Sequence, residues 1–234
     1  MMLQRLWPAA LLAFASAALA APPTNVKAVY DVYKDGLHVF TANETFERSE
    51  SKYKAVSEQT PVGLVALFLR TRARVSSSGT VTAIGLRPDQ FDYGRLDDAS
   101  KSVSARFDWD ARLLRMSFDG RTETAALAAG TQDRLSVMYQ FMFTPVERLR
   151  DLAFPMTSNG KKIENYRYQL AGEETLDTPL GKLKTLHLVK QRENGDNGVE
   201  IWLSTENNLF PVKLLISEND GSRFEQLITR LEAR

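Results

Sequence analysis

The dominant pattern along the chain after residue 25 is an alternation of apolar and polar residues in short runs. In residues 102–109 every second position is apolar, so one side of an extended strand would be buried and the other wet. The run 113–118 repeats this alternation after the tight link Asp110-Ala111-Arg112. Together the two runs predict a β-hairpin.

The same alternation predicts further strands through the rest of the chain. Turn residues such as Asp35-Gly36, Ser78-Gly79, Asn159-Gly160 and Asp220-Gly221 separate them. These strands cover residues 26–33, 37–46, 53–58, 72–77, 81–86, 121–127, 166–170, 183–190, 199–204, 212–217 and 223–230. Many short strands joined by local turns indicate a large antiparallel meander. Because no linker divides it, residues 21–234 are predicted to form a single domain.

Two segments break the alternation and predict helices. Thr60 and Pro61 supply a capping hydroxyl and a first-turn proline, which favours a helix over 61–70. Asp133 begins an apolar run that favours a helix over 131–144, ended by Thr144-Pro145. Neither segment has a full polar face, so each should be covered on more than one side. Two interpretations stay open: the helices plug a curved sheet as solid core, or they line an apolar cavity.

The N-terminal residues predict export. A polar start containing Arg5 leads into an apolar run over 6–19, and Ala18-Leu19-Ala20 has the small residues of a cleavage site. We therefore expect residues 1–20 to be a cleaved signal peptide and the protein to be periplasmic. The sequence contains no cysteine, so neither a lipid-attachment cysteine nor a disulfide is expected. No later apolar run reaches the ~20 residues that span a membrane.

Charge and motifs narrow the function without naming it. The 30 Lys and Arg balance 29 Asp and Glu, which gives no support for nucleic-acid binding. The only histidines, His38 and His187, lie far apart in sequence, so neither a metal nor another cofactor is expected. No serine-nucleophile or nucleotide-binding motif is present, so the protein is not predicted to be an enzyme. The carboxylate pairs Asp108 with Asp110 and Glu173 with Glu174 leave a glycan-acting enzyme as a third alternative.

Several motifs together resemble the DUF3108 family of uncharacterised secreted proteobacterial proteins. They are Leu86-Arg87-Pro88 with Phe91, Ala105-Arg106-Phe107-Asp108-Trp109, Gln132-Asp133-Arg134-Leu135-Ser136-Val137-Met138-Tyr139-Gln140, Thr178-Pro179-Leu180-Gly181 and Glu200-Ile201-Trp202-Leu203. The resemblance implies a β-rich fold similar to that of periplasmic lipoprotein carriers. Those carriers bind acyl chains between a curved sheet and the helices that cover it. No functional residue can be transferred from this resemblance.

The combined expectation is a mainly β protein. It should have a large curved antiparallel sheet or incomplete β-barrel, with two or three short helices covering the concave face. We expect it to be non-enzymatic and to bind an apolar ligand, either a lipid or an acylated protein, in envelope biogenesis. The predicted cavity wall is Leu64, Leu67, Phe68, Met138, Phe141 and Met142, and Arg134 is the predicted rim cation.

The alternative function is a structural or assembly factor. It would bind an envelope protein or a polysaccharide through a sheet edge or an aromatic surface. The candidate aromatic residues are Tyr30, Tyr33, Tyr166 and Tyr168. The sequence leaves the oligomeric state open.

Overall fold

A computed structural model describes residues 21–68, 72–96, 98–157, 162–192 and 195–234. The predicted signal peptide and the Asn159-Gly160 turn lie outside these residues. The strands are β1 (Asn25–Lys34), β2 (Leu37–Arg48), β3 (Lys52–Pro61), β4 (Ala73–Thr82), β5 (Gly85–Arg95), β6 (Asp98–Asp108), β7 (Leu113–Phe118), β8 (Arg121–Ala126), β9 (Gln132–Asp133), β10 (Asp151–Thr157), β11 (Glu164–Thr178), β12 (Gly181–Lys190), β13 (Gly198–Ser204), β14 (Phe210–Ser217) and β15 (Arg223–Ala233). The α-helices are α1 (Val65–Phe68) and α2 (Ser136–Gln140), and 3-10 helices follow at Phe141–Phe143 and Val146–Arg150. Within the described ranges, no helix is long and apolar enough to cross a bilayer.

All of these strands belong to one sheet. Its order is β8-β7-β6-β5-β4-β3-β2-β1-β15-β14-β13-β12-β11-β10-β9, so nearly every strand pairs with its neighbour in the chain. The exception is the pair β8 and β9, which lie at opposite edges of the sheet. In addition, β1 pairs antiparallel with β15, which brings the first and last strands together. Among the described residues the sheet stays open, because its edge strands are β8 and β9. Among the strands given above, β9 and β10 form the only parallel pair.

The sheet curves around α2 and the 3-10 helix that follows it. Tyr139 stacks on Phe46 of β2 with ring centroids 4.6 Å apart, and it lies 5.9 Å from Phe210 of β14. Phe141 meets the edge of Tyr168 on β11 at 6.4 Å. Strands far apart in sheet order can reach one short segment only if the sheet wraps round it. The predicted fold class, a curved antiparallel sheet with short helices, is confirmed.

The buried residues follow the predicted alternation. On β7, Leu114, Met116 and Phe118 are buried and the residues between them are more exposed. The strand is found over the predicted residues because each inward side chain gains ~1.5–3 kcal/mol by burial. The buried residues form two clusters, one mainly on β1–β8 and one mainly on β10–β14, and α2 contributes side chains to both.

The helix predicted over 61–70 is wrong. Thr60 and Pro61 instead end β3, where Pro61 pairs with Phe40 of β2. A proline fits the last position of a strand for the same reason that it fits the first turn of a helix, since neither position needs its N–H. Among the described residues of this segment only α1 is helical, and none of its four residues is buried.

The helix predicted over 131–144 is shorter than expected but begins beside the predicted acid. The Asp133 Oδ1 accepts hydrogen bonds from the backbone N–H of Leu135 (2.9 Å) and Ser136 (2.8 Å). Ser77 Oγ donates to Oδ2 at 2.6 Å, so the buried carboxylate also joins the segment to β4. Thr144 is extended, which confirms that the helical segment ends at Thr144-Pro145.

The turn predicted at Ser78-Gly79 is also wrong. Both residues lie inside β4, at a register shift opposite β5. Gly79 is needed there because a side-chain carbon at this position would collide with the backbone carbonyl of Arg87. A glycine inside a strand often marks such a bulge or close backbone approach. The turn between β4 and β5 instead lies at residues 83–84. As a result β5 extends to Arg95, well beyond the strand that was predicted over 81–86.

Candidate functional site

A cavity of about 290 Å³, partly open to solvent, lies between α2 and the inner face of the sheet. Most of its wall is apolar and comes from α2 and its flank, β10, β13 and β14. These apolar residues include Leu135, Val137, Met138, Met156, Val199, Ile201, Leu214 and Ile216. With ~30 Å³ for each water-sized group, the space corresponds to about ten non-hydrogen atoms of a ligand.

Strand register explains the long apolar wall. Ile201 of β13 pairs with Leu214 of β14, and Val199 pairs with Ile216. Because side chains alternate along a strand, residues two apart share a face, and all four reach the same side of the sheet. Gln226 of β15 pairs with Leu214 and extends this row towards β1.

One side of the cavity is polar and centres on Glu44. This β2 carboxylate is only 7% exposed and lies on the same strand face as Ala42 and Phe46. Tyr139 donates a hydrogen bond to its Oε2 at 3.2 Å, and Ser57 and Gln226 are further hydrogen-bond partners. Burial raises the pKa of Glu44 to about 6, although these hydrogen bonds lower it in part. The cavity therefore contains a carboxyl group that can exchange a proton near neutral pH.

Arg134 supplies a positive charge at the cavity wall. Its guanidinium lies 4.8 Å from the centre of the Tyr93 ring and 5.8 Å from that of Phe91. Burial lowers the pKa of Arg134, and the neighbouring Tyr93 and Asp133 oppose that shift. Stacking on aromatic rings stabilises a cation that is partly removed from water. The cavity thus offers an apolar wall, one acid and one cation.

Comparison with known proteins identifies the family. The family model described as a protein of unknown function, DUF3108, matches residues 29–229. The chain belongs to the DUF3108 family. No curated protein matches this family member.

Solved structures support the fold of this DUF3108 protein. A β-barrel-like protein of the DUF1849 domain from Brucella abortus aligns with a TM-score of 0.56, covering 92% of this chain and 100% of that one. The two sequences are only 10% identical, so the likeness concerns the fold alone. The lipoprotein LppX from Mycobacterium tuberculosis aligns over 88% of this chain and 85% of its own at 11% identity, but its TM-score of 0.31 is too low to carry an argument.

Two of the seven predicted site residues, Met138 and Arg134, line the cavity. Phe141 packs on Tyr168, and Met142 is buried in the larger hydrophobic cluster. The remaining three do not reach the interior. Leu64, Leu67 and Phe68 are 65%, 68% and 89% exposed in the loop between β3 and β4. All three follow the end of β3 at Pro61, beyond the paired strand residues.

Sequence reasoning missed the strand residues of the cavity, above all Glu44. The signal that could have found it is its position between Ala42 and Phe46. In a strand these three residues share a face, so the pattern places a carboxylate among inward apolar side chains. An ionisable side chain on the buried face of a predicted strand is a candidate functional residue.

The features behind the two alternative functions have structural roles. Of the four tyrosines predicted to form an aromatic surface, Tyr30, Tyr166 and Tyr168 are 2%, 9% and 2% exposed, so that prediction is wrong for these three. Tyr33 is half-buried. The Asp108 Oδ1 accepts the backbone N–H of Ala111 at 2.8 Å and so stabilises the β6–β7 turn.

The two histidines lie on different strands, β2 and β12. The ring of His187 lies between Glu174 and Glu200, each 2.8 Å from one nitrogen, and stacks on Trp202 at 4.2 Å. His38 lies 3.2 Å from Asp31.

Proposed function

We propose that this DUF3108 protein is a non-enzymatic protein of the cell envelope that binds a single acyl chain, from a lipid or an acylated protein, in the cavity beside α2. The observation that carries the proposal is the cavity itself, a largely apolar and partly open space with polar groups, Glu44 and Arg134 among them, at defined positions. Small-molecule sites in proteins have this composition. Its size of about 290 Å³ suits one short chain or one end of a longer one.

The energetics favour an acyl chain over a polar ligand. Each buried methylene contributes ~0.8 kcal/mol, so about eight methylenes would contribute ~6 kcal/mol before the costs of ordering the ligand. A polar ligand would leave unmatched groups against Val199, Ile201 and Leu214. Glu44 and Arg134 are then available to the polar end of the ligand, and they provide orientation.

Filling the cavity tests this function. Val199→Phe adds bulk to a half-buried wall position, while Val146→Phe makes the same change at a position that is 38% exposed and away from the cavity. Binding of a fluorescent fatty acid by delipidated protein should weaken at least about tenfold in Val199→Phe, or ~1.4 kcal/mol, and stay unchanged in Val146→Phe. Equal binding by both variants, each shown to be folded by circular dichroism, would contradict the proposal.

Export is the second part of the proposal and has its own test. It is supported by the pattern of residues 1–20. Protein recovered from the periplasmic fraction of a Gram-negative host should begin at Ala21. A protein that keeps Met1 and stays in the cytoplasmic fraction would contradict export without affecting the cavity.

A further inference from the structure

Exposed apolar side chains collect at one end of the sheet. They belong to three connections: β1–β2, the β3–β4 loop and β5–β6. In an antiparallel sheet, every second connection between consecutive strands lies at the same end of the strands. These three connections therefore lie side by side at one end of the sheet. The residues are Leu37, Leu64, Leu67, Phe68 and Leu96, with exposures of 51%, 65%, 68%, 89% and 68%. We call these five residues the apolar rim.

Backbone hydrogen bonds join the β3–β4 loop to its neighbours on both sides. The Val62 N–H donates to the carbonyl of Val39 at 3.0 Å, which joins the β3–β4 loop to β2. The Leu96 N–H donates to the carbonyl of Arg72 at 3.0 Å, which joins the β5–β6 connection to the end of the same loop. The residues of the apolar rim therefore lie on neighbouring connections at one end of the sheet. Scattered exposed leucines are ordinary, but a group of them at one place indicates an interaction surface.

The cavity extends towards the same end of the sheet. Gln59, which lines it, lies two residues before β3 ends at Pro61. The paired residues Val199 and Ile216 also line it. They are next to the pair Gly198 and Ser217, where β13 begins and β14 ends. The β14–β15 connection lies at this end too, because Phe224 pairs with Lys34 beside the β1–β2 turn. A ligand that enters near these residues passes close to the apolar rim.

Geometry and charge select the partner. The apolar side chains come from three separate connections and are spread along one end of the sheet. A broad partner surface can contact all of them more readily than a single peptide segment can. The described residues at these connections and the adjoining strand ends include three cations, Lys34, Arg72 and Arg95, against two acids, Asp35 and Asp98. The nearby carboxylate of Asp35 already accepts the backbone N–H of Arg223 at 2.8 Å. Apolar side chains next to cations are the combination that binds the interface of an anionic bilayer.

We propose that the apolar rim inserts into the surface of an anionic phospholipid bilayer and places the open end of the cavity against the membrane. The acyl chain of the proposed function would then enter directly from the bilayer. The inference builds on that function, but the surface can be tested without a ligand in the cavity.

The test is flotation of the full chain with vesicles of phosphatidylethanolamine and phosphatidylglycerol. The rim variant is Leu67→Glu with Phe68→Glu. The matched control is Ile84→Glu with Leu113→Glu, because these residues are 73% and 43% exposed at the opposite end of the sheet. All four positions are exposed, so both variants should fold, which thermal unfolding followed by circular dichroism checks. We expect the rim variant to lose at least about tenfold in vesicle partitioning and the control to bind as the parent does.

Three results would overturn the proposal. They are a parent protein that does not float, a rim variant that floats as well as the parent, and a control that loses as much binding as the rim variant. If the parent does not float but the rim variant alone changes the molecular mass in solution, the surface is an interface between copies of the chain. Fatty-acid binding in vesicle-free solution separates the two proposals, since it reports on the cavity alone.

Discussion

The buried Glu44 carboxyl predicts a pH-dependent stability that one substitution should remove. Its pKa is raised from 4.5 to about 6, chiefly by burial. The native state therefore holds the proton more tightly than the unfolded chain does. The stability that this group contributes is fully present below pH 4.5 and is lost as the pH rises through 6. One pKa unit is worth ~1.4 kcal/mol, so the loss amounts to about 2 kcal/mol.

Glu44→Gln keeps the shape of the side chain and an oxygen that can accept the hydrogen bond from Tyr139, but it cannot ionise. We expect the difference in unfolding free energy between variant and parent to change by about 2 kcal/mol between pH 4 and pH 7.5, in favour of the variant at the higher pH. Urea unfolding followed by tryptophan fluorescence at a series of pH values measures this difference. Burial also raises the pKa of Asp133, but that contribution is common to both proteins and cancels.

Glu47→Gln is the matched control, because Glu47 is an exposed carboxylate on the same strand. The difference in unfolding free energy between Glu47→Gln and the parent should not change by about 2 kcal/mol between pH 4 and pH 7.5. If the Glu44→Gln difference is flat with pH, or favours the parent at high pH, Glu44 is not the buried, desolvated group that the structure describes.

Three further substitutions test the fold, each by the midpoint of urea unfolding. Gly79→Ala should destabilise by ~1–3 kcal/mol, because the new methyl group collides with the Arg87 carbonyl, whereas Gly172→Ala has open space and should change little. Phe141→Ala should cost ~3–5 kcal/mol because its ring is 1% exposed. Asp133→Ala should cost about 3 kcal/mol, since it leaves two buried N–H groups without an acceptor. Variants as stable as the parent would contradict these packing and hydrogen-bonding roles.

The strands were predictable wherever one sheet face is buried and the other is wet. The predicted strand over 113–118 is β7 without change, and residues 26–33 fall inside β1. In both places the buried side chains lie two residues apart, and this spacing is visible in the sequence itself. Most of the sheet could therefore be predicted from local patterns, because most paired strands are consecutive in the chain.

The errors arose where one local signal serves two structures. A proline without its N–H fits the first turn of a helix and the last residue of a strand, and only the pairing of Pro61 with Phe40 decides between them. Gly79 likewise fits a turn or a bulge, and the choice depends on the approach of the Arg87 backbone from β5. Contacts between distant residues settle such cases, and the local sequence does not contain them.

The site was less predictable than the fold for the same reason. Met138 and Arg134 were predictable because they lie on 131–144, one of the two apolar segments that interrupt the alternation. The rest of the wall comes from strands far apart in sequence that only the curvature of the sheet brings together. Leu64, Leu67 and Phe68 were recognised as unusual, but they lie at the end of the sheet, where we propose a different role.

The position of α2 limits the volume of the cavity. Val137 lines the cavity of about 290 Å³ and also a groove of about 340 Å³ on the other side of the segment, so α2 separates two spaces. The Gln140 side chain fixes the segment to β5 by accepting the Leu86 N–H at 2.6 Å, and Tyr139 fixes it to β2 through Glu44. Under the proposed function, a cavity of about 290 Å³ suits one acyl chain, so we expect a ligand with two chains to require a movement of α2. The Tyr139–Glu44 hydrogen bond lies beside the cavity, and we expect it to break in such a movement.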